Sequence, residues 1–180
     1  MAVRALSALL SVLAATVAVS ACSGPGPAVH GKPRPAPAVS SHAVGCDQII
    51  QQVSAPGGKV VLGVLAVPPA HVEAGAPTGT LPWSYFSKWG IAIRAGSPPV
   101  LITVPRAWRH RAAIGWGNNA SGGSSLRLLS CPRQIGAWNA YAGGFFLRSA
   151  SGCVPLVVKM GRQTATLSFV IGSASCGSAT

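Results

Sequence analysis

The chain holds 180 residues, enough for one domain of ordinary size but not two. Apolar residues make up 49 %, which excludes disorder along the whole length. The 14 lysines and arginines face only 2 acids, a net charge of +12 that favours polyanionic neighbours and leaves little room for carboxylate catalysis.

Residues 1–21, MAVRALSALLSVLAATVAVSA, carry one charge near the start, Arg4, and then none from Ala5 to Ala21. That apolar run is shorter than the ~20 residues that span a hydrocarbon core, and it ends on small residues, as an export signal does. Val19-Ser20-Ala21-Cys22 resembles the lipobox of bacterial lipoproteins. The resemblance implies cleavage before Cys22 and a diacylglycerol on its sulfur. It places the mature chain on the extracytoplasmic face of the bacterial cell membrane, held there by lipid.

The segment 22–45 is Cys22 followed by SGPGPAVHGKPRPAPAVSSHAVG, residues 23–45, which holds Pro25, Pro27, Pro33, Pro35 and Pro37 and no apolar period. The prolines favour polyproline II, so this stretch reads as a solvated tether with a reach on the order of 70 Å.

Residues 46–180 form the expected folded domain. CDQIIQQVSA allows one short helix, with Asp47 as its cap and Gly57-Gly58 beyond its end. KVVLGVLAV, Lys59 to Val67, reads as one continuous central strand ended by Pro68-Pro69. GIAIRAG, VLITVP, AAIGWG and SLRLLSC follow as short strands with turn residues between them. A single helical turn is expected at PRAWRHR, since Pro105 suits a first helical position. WNAYAGGFFLRS, Trp138 to Ser149, carries paired glycines that suit a bulge or bend. CVPLVVKM and TATLSFVIG close the chain around Gly161-Arg162, with Ala165, Leu167, Phe169 and Ile171 sharing one face of the last strand. About eight strands at this spacing predict an all-β fold, an antiparallel β-sandwich of immunoglobulin-like or jelly-roll-like kind.

With Cys22 acylated, four cysteines remain for an oxidising compartment. They allow three pairings. Cys131 and Cys153 flank a hairpin-like segment, and Cys46 and Cys176 bracket the domain, so the expectation is Cys131–Cys153 with Cys46–Cys176. No close Cys-x-x-Cys or histidine pair supports zinc, and neither a metal nor a cofactor is expected.

The densest cationic stretch is PRAWRHRAAIGWG, where Arg106, Arg109, His110 and Arg111 surround Trp108. A guanidinium offers two parallel donors to phosphate or carboxylate, and an indole can stack on a sugar. Arg106, Trp108, Arg109 and Arg111 are therefore the expected ligand-binding residues; the competing reading buries Trp108 and Trp116 in the core. The clusters in LPWSYFSKWG and WNAYAGGFF carry the same two readings, platform or core. For catalysis, Asp47 and Glu73 are the only carboxylate pair. His71 and Glu73 with His110 are the alternative acid–base set of an envelope-acting hydrolase. No Gly-x-Ser-x-Gly elbow and no nucleic-acid-binding signature occurs.

GSPPVLITVPRAW, IGWGN and AYAGGFFLRS…CVPLVV resemble segments of small exported proteins of high-GC Gram-positive bacteria. That resemblance implies export and a β-domain and brings no activity or site residues. The expected role is a non-enzymatic surface module for an acidic envelope component, such as cell-wall polymer, or for a protein partner, with a purely structural role as a further alternative.

Overall fold

The computed structural model describes residues 41–118 and 120–176. The expected signal segment, Cys22 and the tether as far as residue 40 lie outside the described residues.

Pairing starts within the segment expected to be tether, at β1 (His42–Val44). A single 3₁₀ turn, Cys46–Gln48, replaces the expected helix. Asp47 makes no capping bond, Ile49 is already extended, and β2 (Gln51–Val53) occupies the rest of the segment. The run Lys59 to Val67 is a hairpin of β3 (Lys59–Val61) and β4 (Leu65–Val67), not one strand. Its turn holds Leu62 and Gly63 at φ 51° and 70°, and the Val64 N–H donates to the Val61 carbonyl at 3.1 Å. Positive φ at both central residues suits the twist of a tight hairpin, but a leucine rarely adopts it, so Val-Leu-Gly-Val reads as uninterrupted strand.

Three short strands fall where the sequence predicts a loop or an aromatic cluster: β5 (His71–Val72), β6 (Ala76–Pro77) and β7 (Tyr85–Lys88). The next four match the predicted apolar runs: β8 (Ile91–Arg94), β9 (Val100–Thr103), β10 (Ala112–Trp116) and β11 (Ser125–Leu128). The predicted turn before β10 is present as a 3₁₀ helix, Arg106–Trp108. The run from Trp138 divides into β12 (Trp138–Tyr141) and β13 (Gly143–Leu147). The last two, β14 (Gly152–Met160) and β15 (Gln163–Ile171), form a hairpin of two nine-residue strands.

The strands build three sheets in an all-β, sandwich-type architecture. The first runs β1-β11-β9-β14-β15-β5, the second β10-β13-β7-β6, the third β2-β12-β8-β4-β3. Most pairings are antiparallel; β1 with β11 and β15 with β5 are parallel. One core draws on all three sheets, through Ile102 and Leu156 of the first, Ile114 and Phe145 of the second, Leu65 and Ile93 of the third. The alternation predicted for β15 holds: Phe169 and Ile171 are buried, while Thr164, Thr166 and Ser168 are exposed.

β12 and β13 belong to different sheets although one residue separates them. The glycines at 143 and 144 make that crossing possible. A Cβ on Gly143 would press on the Gly115 carbonyl, and one on Gly144 on the Ser87 carbonyl.

The disulfide expectation is overturned. The bridges are Cys46–Cys131 and Cys153–Cys176, each with Cα atoms 5.6 Å apart. β1 lies parallel to β11 with Val44 opposite Leu128, so Cys46 and Cys131 leave the sheet at the same end. The β14–β15 register sets Cys153 opposite Val170, and the segment after β15 brings Cys176 to it. Cys131 and Cys153 are separated by two strands that diverge into different sheets, which defeats the local hairpin on which their pairing was based.

Candidate functional site

The cationic stretch spans the connection from β9 in the first sheet to β10 in the second. Pro105, at φ −54°, opens the turn, and its carbonyl accepts from the Trp108 N–H at 2.8 Å. The Trp108 carbonyl in turn accepts from the Arg111 N–H at 2.9 Å. Trp108 is half-buried, with part of its ring against the core and part in solvent contact.

Of the four expected residues, Trp108 and Arg111 line one cleft and Arg106 and Arg109 do not. The Arg109 Nε donates to the Val104 carbonyl at 3.1 Å, which ties that guanidinium back onto its own turn. Arg106 is exposed and stands away from the cleft described next. Arg111 and Trp108 do come together, with the guanidinium carbon 5.3 Å from the ring centroid. The Arg111 Nε also donates to His110 Nε2 at 3.1 Å, which fixes the side chain and leaves its two terminal nitrogens for other acceptors.

Trp108 and Arg111 form one wall of a cleft of about 500 Å³, a volume suited to a sugar-sized ligand. Arg148, the loop through Ser149 and Ser151, and the tail at Ala174 and Ser175 form the rest. Arg148 extends the β10–β13 ladder by one step beyond Ala112 and Leu147, its N–H donating to the Arg111 carbonyl at 3.3 Å. Its guanidinium lies 5.9 Å from the Trp83 ring centroid. The loop is internally braced, since Ser149 Oγ donates to the Ser151 carbonyl at 2.8 Å and Gly75 N–H to the Ala150 carbonyl at 2.8 Å. Ser173 N–H reaches Ser151 Oγ at 3.3 Å, and the Cys153–Cys176 bridge fastens the tail to β14. Among the described residues no carboxylate lines this cleft. Arg148 escapes a reading of the sequence because only the β10–β13 register places it beside Arg111.

Most of the other aromatic candidates are structural. Trp116 is buried, donates its indole N–H to the Trp89 carbonyl at 2.8 Å and meets the edge of Phe145 at 5.8 Å. Tyr141 is buried and donates to the Leu129 carbonyl at 3.1 Å. Phe86 and Phe146 pair across β7 and β13 with centroids 4.8 Å apart.

The alternative catalytic set is dispersed. His71 lies on β5 at the edge of the first sheet, and Glu73 follows it, both exposed. His110 precedes β10 at the edge of the second sheet, where it accepts from Arg111. None of the three lines the cleft. Among the described residues no three His, Cys, Asp or Glu side chains gather to hold a metal, and no helix is long and apolar enough to cross a membrane.

Compared with known proteins, the chain matches no protein-family model and no curated protein sequence.

Proposed function

We propose that this chain is a lipid-anchored, non-enzymatic surface module that binds an acidic component of the bacterial envelope. Cys22 would carry the lipid, the proline-rich segment would hold the domain away from the membrane, and the cleft would take the ligand. The observation that carries this reading is the cleft itself: Arg111, Arg148 and Trp108 all line it, with no acid among its lining residues. Guanidiniums without carboxylate partners keep their donors for an incoming anion, and the half-exposed indole offers an apolar face beside them.

The reading is tested by co-sedimentation of the full chain with cell-wall preparations bearing anionic polymer, over about 0.05 to 0.5 M salt. Retention should fall with salt and be lost in Arg111→Ala and Arg148→Ala, while Arg162→Ala, on the distant hairpin turn, behaves as the parent. Retention indifferent to salt and to both cleft substitutions defeats the reading.

A further inference from the structure

We propose that Arg111 and Arg148 act as one site that grips a single phosphate monoester, with the sugar or polyol that bears it lying on Trp108. This rests on the acidic-ligand reading above and narrows it to one chemical group.

The starting point is an electrostatic anomaly in the sheet. Residues directly opposite in an antiparallel pair hold their Cβ atoms about 4.5–5.5 Å apart, and like charges there are destabilising. Arg111 and Arg148 stand in that relation, one step past the Ala112–Leu147 pair, and both face the same cleft. No acid among the lining residues offsets them. What holds each guanidinium is an aromatic face of its own, Trp108 for Arg111 and Trp83 for Arg148. Such contacts orient a cation but leave its charge in place.

Two charges across one ladder step, with no acid beside them among the described residues, call for a ligand group of charge near −2. A carboxylate or a phosphodiester carries −1 and leaves one arginine unmatched. A phosphate monoester carries about −1.5 to −2 at neutral pH and presents three strong acceptor oxygens in a tetrahedral array. Two forks approaching from adjacent strands can each donate two hydrogen bonds to such a group. The Trp108 ring, in contact with Arg111 on one side of the cleft, then lies where the ester-linked carbons leave the phosphate.

The test is a titration of the full chain, followed by tryptophan fluorescence and calorimetry. The ligands are glycerol 3-phosphate, the diester glycerophosphoglycerol and the carboxylate glycerate. Vesicles containing phosphatidate (a monoester) or phosphatidylglycerol (a diester) form a second arm. The monoester should bind about tenfold or more above the diester and the carboxylate near pH 7.5, the scale of one charge-assisted hydrogen bond. That ratio should shrink near pH 5, where the monoester has lost its second charge. Near pH 5 all three ligands carry about one negative charge, so the charged and titratable neighbours Arg109, His110, Arg111 and Arg148 then act on them alike and the ratio isolates the second charge of the monoester. Arg111→Gln and Arg148→Gln should each lower monoester affinity at least about tenfold, and the double variant should lose little more, because both hold the same group. Unchanged thermal midpoints in the variants exclude misfolding.

A preference for phosphatidate without one for soluble glycerol phosphate assigns the monoester to a lipid; the reverse assigns it to a soluble or polymer-borne sugar or polyol phosphate. Equal affinity for monoester and diester in both arms, or fully additive losses in the double variant, overturns the single-group grip and leaves the acidic-ligand reading standing. Absence of arginine-dependent binding to every ligand overturns both.

Discussion

Arg148 stands directly across the β10–β13 ladder from Arg111, its backbone N–H donating to the Arg111 carbonyl at 3.3 Å. Main-chain pairing thus sets the two residues side by side, and the Trp108 and Trp83 rings then orient their guanidiniums. The cleft they share is also lined by Ala174 and Ser175, in a segment that the Cys153–Cys176 bridge secures.

The tryptophans separate binding from stability. Trp108→Ala should weaken ligand retention markedly with a modest loss of stability, since the ring is only half-buried. Trp116→Ala should cost about 3–5 kcal/mol through the lost core volume, with the Trp89 carbonyl left unpaired in addition. Urea unfolding of the two variants beside their binding curves checks the contrast.

The bridges should differ in what they contribute. Cys46–Cys131 closes a separation of 85 residues and Cys153–Cys176 one of 23. Chain-entropy arguments then put the first near 4–5 kcal/mol and the second near 3–4 kcal/mol. Peptide mapping without reduction should recover these two linkages, and paired Cys→Ser variants should rank in that order on urea unfolding. The Cys153→Ser/Cys176→Ser pair should also lose ligand affinity, because it frees one wall of the cleft.

Burial, and second the negative charge of Asp47, push the Tyr141 phenol up to about 12. In the unfolded chain a tyrosine titrates near 10. The folded state therefore holds the phenolic proton more tightly. The associated stability is complete below about pH 10 and is lost as pH climbs through 12. Urea midpoints of the parent should fall over that window more steeply than those of Tyr141→Phe, which has no proton to lose. Parallel slopes contradict the assignment.

Gly144→Ala should destabilise by about 1–3 kcal/mol or more, because its Cβ meets the Ser87 carbonyl and comes within 3.1 Å of Lys88 Cα. Gly152→Ala, with open space at its Cβ, is the control. Thermal midpoints of the two variants decide the matter.

What could be read in advance follows from the range of the physics involved. Period-two alternation is local, so β15 was legible residue by residue, with Phe169 and Ile171 inward and Thr164, Thr166 and Ser168 outward. The paired glycines at 143–144 marked a bulge or bend, but that the chain passes there from one sheet to another was not legible. The Leu62-Gly63 turn was hidden, since its first residue adopts a conformation leucine seldom takes. Two- and three-residue strands such as β1 and β6 are too short to carry a period. The bridges failed for a different reason: parallel pairing of β1 with β11 joins residues far apart in sequence, and spacing along the chain says nothing of it. The cleft was half legible. Arg111 and Trp108 are near neighbours in the chain, whereas Arg148 reaches them only through strand register.

The central claim, that the cleft between Arg111, Arg148 and Trp108 is where an acidic ligand sits, is tested most directly by NMR shift mapping. The isotope-labelled full chain is titrated with glycerol 3-phosphate. The Trp108 indole, the guanidinium signals of Arg111 and Arg148 and the amides of Ser149 and Ser151 should move together along one binding curve, while the surface around Gln52 and Ile135 stays still. Shifts centred elsewhere, or scattered evenly over every arginine of the chain, contradict it.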